Sequence, residues 1–365
     1  MKLECKIDKI KSALLYADRM TGKNLTLPVL GAILWIVKGN TLTVRSTNLS
    51  IGIEIVIPVK VEKEGIVAIR GDVLSSLFSV LVSDGAVSFE LIENTLLVKT
   101  KNSKIQLKTI SPDDFPTLPV VVGDSFSLDI QKFTQGVKSV FYSASVSEIK
   151  PEIGSVYMYS EQEMLFFVAT DSFRLAEKKV NIKKNLNINS ILVPFKNITE
   201  IVKVFEGVEG TVDVVCNKNQ ISFSCEGIYI TSRVVDGVFP DYKQILPKTA
   251  TTTATILKQD FLSALKVSNA LSDKFNQITL HIKPKEKVFE IESKNNDVGE
   301  NTTMVSAALT GDDVSLHFNV KYITDCFQSI SSDSLVLELN GSSKPMLIKP
   351  VGDPLFMYVV MPMNK

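Results

Sequence analysis

Apolar positions along the chain alternate between two spacings, and the alternation repeats. Ile7, Ile10, Leu14 and Leu15 fall three, four and one apart, and Ile130, Phe133, Val137, Val140 and Phe141 fall three, four, three and one apart. Leu257, Phe261, Leu265 and Val267 form a third such set. Spacings of three and four predict a helix with one apolar stripe, leaving the interspersed lysines on the opposite face. A second helix is predicted in each stretch, directly after an apolar strand at 66–69, 191–193 or 316–318. These second helices carry Val73, Leu74, Leu77 and Phe78, then Ile198, Ile201, Val202 and Phe205, then Tyr322, Ile323, Cys326 and Phe327. Between helices the period drops to two, as in 41–45 and 51–57, and in 87–91 followed by a turn at Glu93-Asn94 and by 96–98. Period two with short polar turns predicts hairpins of antiparallel sheet.

The pattern is threefold. Phe115-Pro116 and Phe239-Pro240 each close a strand-rich stretch, and Met361-Pro362 nearly closes the chain. These markers lie roughly 120 positions apart, as do the helix anchors Ile10, Phe133 and Phe261. Each repeat is then a sheet with two helices on one face, an α+β arrangement. The expected domains are 1–119, 125–247 and 248–365, with proline-bearing linkers at 116–123 and 240–253.

Composition narrows the class without naming a partner. A chain of 365 residues, 45% hydrophobic and 22% charged, is globular and long enough for several domains, not disordered or collagenous. Forty basic residues balance forty acidic ones, so bulk charge points to no ligand. The N-terminus lacks an apolar signal segment, and the apolar run 27–37 contains Pro28 and Gly31 and is shorter than a bilayer helix. A soluble, cytoplasmic protein is expected. Cys5, Cys216, Cys225 and Cys326 show no CxxC spacing and read as buried free thiols, although Cys216 and Cys225 lie on adjacent strand-like runs. No phosphate-binding loop, dinucleotide fingerprint, HExxH or GxSxG motif is present. His281 and His317 sit in alternating runs and read as strand residues, and Asp113-Asp114 and Asp312-Asp313 as solvated turns. No catalytic residue, metal site or cofactor is predicted.

Five segments are more specific. Residues 169–176, Ala-Thr-Asp-Ser-Phe-Arg-Leu-Ala, resemble the ATDGHRLA segment of the bacterial β sliding clamp family, the DNA polymerase III β subunits. Residues 232–242 resemble that family's SRLIDGxFPDY, and 318–325 its FNxxYLxD. The tail 358–363 matches YVVMPM, and 27–30 matches LPIL. The segments occur in order over nearly the whole chain. The resemblance implies a clamp fold in which two subunits of three domains close head to tail around duplex DNA, helices inside and sheets outside. It implies DNA contact without sequence preference, a clamp loader, and tethering of replicative and repair polymerases by short peptides. It implies neither catalysis nor a membrane.

By the same resemblance, the peptide pocket takes Ile153, Thr170, Arg174, Leu175 and Pro240 from the second repeat and its exit, with Ile245, Phe275, Asn319, Tyr322 and Ser343 following. Pro345, Met361, Pro362 and Met363 complete it. An apolar slot with a few polar groups suits a peptide backbone, and flexible thioethers suit varied partners. Three pocket positions depart from the family: Ser172-Phe173 replace Gly-His, and Gln244 stands where an arginine is expected. The tail ends Asn364-Lys365 without an arginine directly after the second Met, and Asn269-Ala270 replace an apolar pair at the subunit seam.

DNA-facing residues are expected at Lys9, Lys23, Asn24, Lys132, Lys138, Lys196, Lys203, Lys258, Lys266 and Lys321. Together with Lys6 and Lys11, the helix lysines outnumber Asp8, Asp72, Asp129, Glu200, Asp260 and Asp325 on the same helices. A neutral chain can thus present a positive lining to phosphates. Two other readings use the same residues: an adaptor that binds proteins without encircling DNA, and an enzyme built on Asp171 and Arg174. The second lacks any visible base or cofactor site.

Overall fold

The computed structural model describes residues 1–22, 27–81, 85–147, 149–182, 188–247, 249–341 and 343–363. One local device recurs through it: a strand runs into a helix with no intervening loop. Lys2–Lys6 enters α1 (Ile7–Asp18), Gly65–Arg70 enters α2 (Gly71–Val80), and Asp124–Asp129 enters α3 (Ile130–Lys138). Ile191–Pro194 enters α4 (Phe195–Phe205), Thr252–Leu257 enters α5 (Lys258–Ala270), and Val314–Asn319 enters α6 (Val320–Thr324). Each expected pair of helices per repeat is therefore present among the described residues. In α6 the Asn319 side chain accepts from the Lys321 N–H at 2.9 Å, satisfying one of the orphan donors of the first turn. That helix is short, and a 3-10 segment, Asp325–Ser329, continues it and buries Cys326 and Phe327.

The helix stripes follow the expected period, with corrections. Ile10 and Leu14 are buried in α1, but Leu15 is 48% exposed, because one residue on is about 100° round the axis. In α5 the buried set is Phe261, Ala264, Leu265 and Ser268, and Val267 points out. Val73 is likewise exposed, leaving Leu74 and Phe78 as the buried pair of α2. Helix α3 stops at Lys138, so buried Val140 follows it and Phe141 opens a 3-10 turn.

The chain forms two compact units, Met1–Gln131 with Lys196–Val234, and Lys132–Phe195 with Val235–Lys365. The first holds a five-stranded and an eight-stranded antiparallel sheet. In the larger sheet, Ile228–Arg233 of the second repeat pairs with Ile51–Pro58 of the first, Ser232 opposite Ile51. The second unit holds a nine-stranded and a four-stranded sheet. There Arg174–Asn181 of the second repeat pairs with Phe356–Val360 of the third, Arg174 opposite Val360 and Leu175 opposite Val359. Sheets thus run across the repeat boundaries.

The Phe-Pro markers pack onto the sheets, Phe115 within the first repeat and Phe239 on the sheet shared by the second and third. Phe115 packs on Ala32, Leu34 and Ala68. Phe239 and Tyr242 are buried with Val168, Leu175, Leu192, Leu347 and Val359, and the Phe239 ring stacks on Tyr157 at 4.7 Å. The expected linker 240–253 is therefore core at Tyr242 and strand from Thr252 onward. The four cysteines are free and buried. Cys216 pairs opposite Ile221 while Cys225 lies at the far end of its strand, so the two are not neighbours. Both histidines are strand residues. His281 bonds Glu292 through Nε2 at 2.9 Å, and His317 bonds Thr279 through Nδ1 at 2.9 Å.

Candidate peptide and nucleic-acid surfaces

The site grows from a hairpin turn between Met164–Thr170 and Arg174–Asn181. The Thr170 hydroxyl donates to the Arg174 carbonyl at 2.7 Å and accepts from the Ser172 N–H at 3.1 Å. Asp171 Oδ1 accepts from the N–H groups of Phe173 and Arg174 at 2.9 and 3.0 Å. These bonds hold Ser172 at φ +77°, the left-handed region that favours glycine. The turn thus explains why the resembling segment carries Gly at this position and shows that Ser172 accepts the same shape.

Arg174 joins this turn to two other parts of the second unit. Its Nε donates to Asp171 Oδ2 at 3.0 Å, Nη2 to the Tyr142 carbonyl at 2.8 Å, and Nη1 to Asp325. The guanidinium lies 4.9 Å from the Tyr322 ring centre, and the Phe173 ring stacks on that same ring at 6.0 Å. The tail closes alongside: the Met361 N–H donates to the Phe173 carbonyl and the Met363 N–H to the His317 carbonyl, both at 2.8 Å. Asn319 Nδ2 donates to the Phe275 carbonyl at 3.1 Å.

Direct contacts therefore bring together Thr170, Phe173, Arg174, Tyr322 and Met361, while Asn319 links Phe275 to the start of α6. Phe173 and Phe275 are 59% and 58% exposed, the first stacked on Tyr322 and the second lying under the Lys274 ammonium at 5.1 Å. Leu175 is 1% exposed and belongs to the core beneath. Under it Tyr242 donates to the buried Glu177 carboxylate and meets the Tyr159 hydroxyl at 2.7 Å. Burial, reinforced by the Glu177 charge, pushes the Tyr242 phenol far up, so it stays a donor. Pro240 is exposed and its carbonyl accepts from the Tyr242 N–H. Pro345 is buried beside Met346, which pairs opposite Val360. Among the described residues, no hydrogen bond, ion pair or ring contact ties Ile153, Gln244, Ile245 or Ser343 to the group around Arg174. Ile153 is buried, Ile245 and Ser343 are exposed, and Gln244 bonds Asp241 at 2.8 Å. Pro362 is half-buried between its two methionines, and Asn364-Lys365 lie outside the described residues.

Sequence reasoning missed Asp325 and Tyr142 as partners of Arg174, and Val359 as the neighbour of Leu175. Asp325 closes the segment 318–325 and Val359 sits in the tail motif, so both were in view without a role. Tyr142 carried no signal.

The basic residues divide. Lys9, Lys132, Lys138, Lys196, Lys266 and Lys321 lie on exposed helix faces. Lys203 is engaged by Glu200 at 2.7 Å, and Lys258 donates to the Ile330 carbonyl. Lys23 and Asn24 lie outside the described residues. No cluster of His, Cys, Asp and Glu able to hold a metal occurs among the described residues, and no described helix is long and apolar enough to cross a membrane.

Known proteins resemble this chain over its full length in sequence and in fold. Residues 1–119, 127–241 and 243–364 match, in order, the family models for the N-terminal, central and C-terminal domains of the DNA polymerase III beta subunit. The chain belongs to the DNA polymerase III beta subunit family. It is 25% identical to the beta sliding clamp of Synechococcus elongatus, covering 100% of this chain and 99% of that one. The crystal structure of the Thermotoga maritima beta subunit superposes with a TM-score of 0.94 at 24% identity, covering 100% and 99% of the two chains. A Pseudomonas aeruginosa clamp solved with griselimycin bound gives 0.95 at 24% identity, covering both chains fully. As a beta sliding clamp, the chain is a processivity factor and a non-catalytic subunit of DNA polymerase III.

Proposed function

We propose that two copies of this chain close head to tail into a ring around duplex DNA, and that the surface around Arg174 receives peptides of the polymerases it tethers. The domains are 1–119, 125–247 and 248–365, close to the limits of the three family matches. The observation that carries the peptide site is the bond from Met361 N–H to Phe173 carbonyl. It lays the chain's end against a turn from a distant repeat, beside the exposed ring of Phe173. Pro240, Tyr322 and Met361 frame an apolar slot, supported from beneath by the buried Leu175, in which a glutamine and a hydrophobic pair would bind. Ile153, Ser172, Gln244, Ile245, Asn319, Ser343, Pro345, Pro362 and Met363 belong to the same proposed surface. A relative crystallised with griselimycin supports a ligand-binding surface in the family.

Ring closure rests on the sheets. Twice, a strand of one repeat continues the sheet of the repeat before it. By that rule Gly299–Met304 and Lys104–Lys108, both edge strands with one neighbour among the described residues, await each other in a second copy. Glu300 on one edge and Lys104 and Lys108 on the other are complementary in charge. A repeated head-to-tail contact that closes gives a ring. The exposed helix lysines would face phosphates weakly enough to slide, with retention supplied by linkage. A clamp loader and a cytoplasmic location accompany this reading.

Light scattering at micromolar concentration should report twice the chain mass, and a persistent monomer would overturn the ring. Fluorescence anisotropy with a labelled peptide bearing glutamine and a hydrophobic pair tests the slot. Deleting residues 361–365 should weaken binding about thirtyfold, the worth of a roughly 2 kcal/mol hot spot. Unchanged affinity in the truncated dimer would place the peptide elsewhere. Lys9→Glu with Lys266→Glu should lower retention on circular DNA while leaving the dimer intact.

A further inference from the structure

The seam between the first two repeats carries a turn built like the one at the proposed peptide site. The Thr47 hydroxyl donates to the Ile51 carbonyl at 2.9 Å and accepts from the Leu49 N–H at 3.0 Å. Asn48 Oδ1 accepts from the N–H groups of Ser50 and Ile51 at 2.9 and 3.0 Å, and Leu49 sits at φ +73°. The Arg233 N–H then donates to the Ser50 carbonyl at 2.8 Å, as Met361 does to Phe173. Beside this turn lies a cavity of about 130 Å³, lined by Leu49, Ile51, Gly52, Leu118, Thr231 and Arg233 among others.

Three observations make the cavity a site and not a packing fault. Gly52 lies opposite Thr231 in the sheet, and a Cβ at position 52 would overlap Leu118 Cδ2. The missing side chain therefore lets the segment 116–119 lay an apolar side chain into the seam. Thr231 is 4% exposed, yet its hydroxyl has no hydrogen-bond partner among the described residues. A buried hydroxyl left unmatched carries a desolvation cost that a ligand would relieve. Arg233 is exposed, and among the described residues no carboxylate pairs with its guanidinium.

The geometry points to a second peptide site at this seam, taking an extended segment of a partner protein through an acidic side chain. Residues 116–119 form one wall of the cavity and Leu118 fills the space beside Gly52, so what remains open is the room beside Thr231 and Arg233. Arg233 is a permanent cation that only donates and the Thr231 hydroxyl can turn to donate beside it, so a carboxylate is the side chain that satisfies both at once. The cavity has room for about four waters at ~30 Å³ each, which matches one glutamate side chain. The inference stands on these contacts and not on the peptide reading of the other seam.

The test uses the full chain and two probes, N-acetyl-Leu-Glu-amide and its neutral counterpart N-acetyl-Leu-Gln-amide. Saturation-transfer NMR measures affinity, and crystals soaked with each probe locate it. The Glu probe should lie with its carboxylate on Arg233 and Thr231 and bind more tightly than the Gln probe. Arg233→Ala should weaken the Glu probe about tenfold, as loss of a charged hydrogen bond does. Thr231→Val keeps the shape, should weaken it about threefold, and should melt no lower than the parent because it removes an unmatched hydroxyl. Anisotropy of the glutamine-bearing peptide at the Arg174 surface should be unchanged by both substitutions, which separates failure of this site from failure of the other. Equal affinity for the two probes, indifference to Arg233→Ala, or a cavity holding water alone in the soaked crystals would overturn the inference.

Discussion

Replacing Arg174 by alanine should loosen the whole of the proposed peptide surface, and the size of the effect follows from the contacts. The side chain is 12% exposed and serves three acceptors, Asp171, Asp325 and the Tyr142 carbonyl, while covering the Tyr322 ring. Without it, Asp171, whose side chain is 15% exposed, keeps a charge with no cation against it. Breaking a buried pair by removing one partner typically costs 3–5 kcal/mol. Asp325 is 42% exposed and regains water, so its share is discounted. The expected loss is about 3 kcal/mol. For a unit of this size that lowers the melting temperature by roughly 6–12 °C. Because a chain of several domains need not unfold in one step, global melting should be paired with hydrogen exchange resolved by segment. Protection should fall in 170–175, 320–329 and 356–363 and hold elsewhere. Arg174→Lys should recover only part, because an ammonium cannot serve three acceptors in one plane. An alanine variant with parental melting and unchanged exchange in those segments would refute the claim that Arg174 ties them together.

Ser172→Gly should stabilise the turn by up to about 1 kcal/mol, since left-handed backbone disfavours a side chain by roughly that much beyond glycine's own entropy cost; equal or lower urea midpoints would contradict it. Gly136→Ala should destabilise by about 1–3 kcal/mol despite alanine's helix propensity, because the new Cβ would press on the fully buried Phe167 ring; a higher melting point would show that the ring can yield. Burial, with some help from Glu4, pushes the Cys5 thiol up to about 12, and burial with Asp124 pushes Cys216 up to about 11. The native chain should therefore resist thiol alkylation at pH 8, and rapid labelling without unfolding would contradict this. The sign for stability follows: the folded state holds these protons more tightly, so their contribution is intact below the ordinary thiol value of 9.0 and is lost as pH rises from there through the folded values.

Short-range chemistry settled much of this protein before any contact was known. The 3.6 and 2.0 periods place helices and strands because a buried stripe or face must recur at the period of its element. The passage from an apolar strand into a second helix was legible in each repeat, and the recurring Phe-Pro and Met-Pro markers expose the repeat; that the first helices also follow directly on strands came from the structure. Segments 169–176, 318–325 and 358–363 held, in readable form, residues that the structure brings together: Thr170, Phe173, Arg174, Tyr322 and Met361. Sequence does not state which edges meet. Strand Ile228–Arg233 joins the first repeat's sheet and Phe356–Val360 the second's, and a strand's hydrogen-bonding edge is backbone, the same for every residue. That pairing alone sets Leu175 against Val359, turns Arg174 toward Tyr142 and Asp325, and leaves the Thr231 hydroxyl unmatched beside Gly52. It also decides that Tyr242, in an expected linker, becomes core. Side-chain pattern fixes what each segment must hide; only the closed sheet decides against what it is hidden.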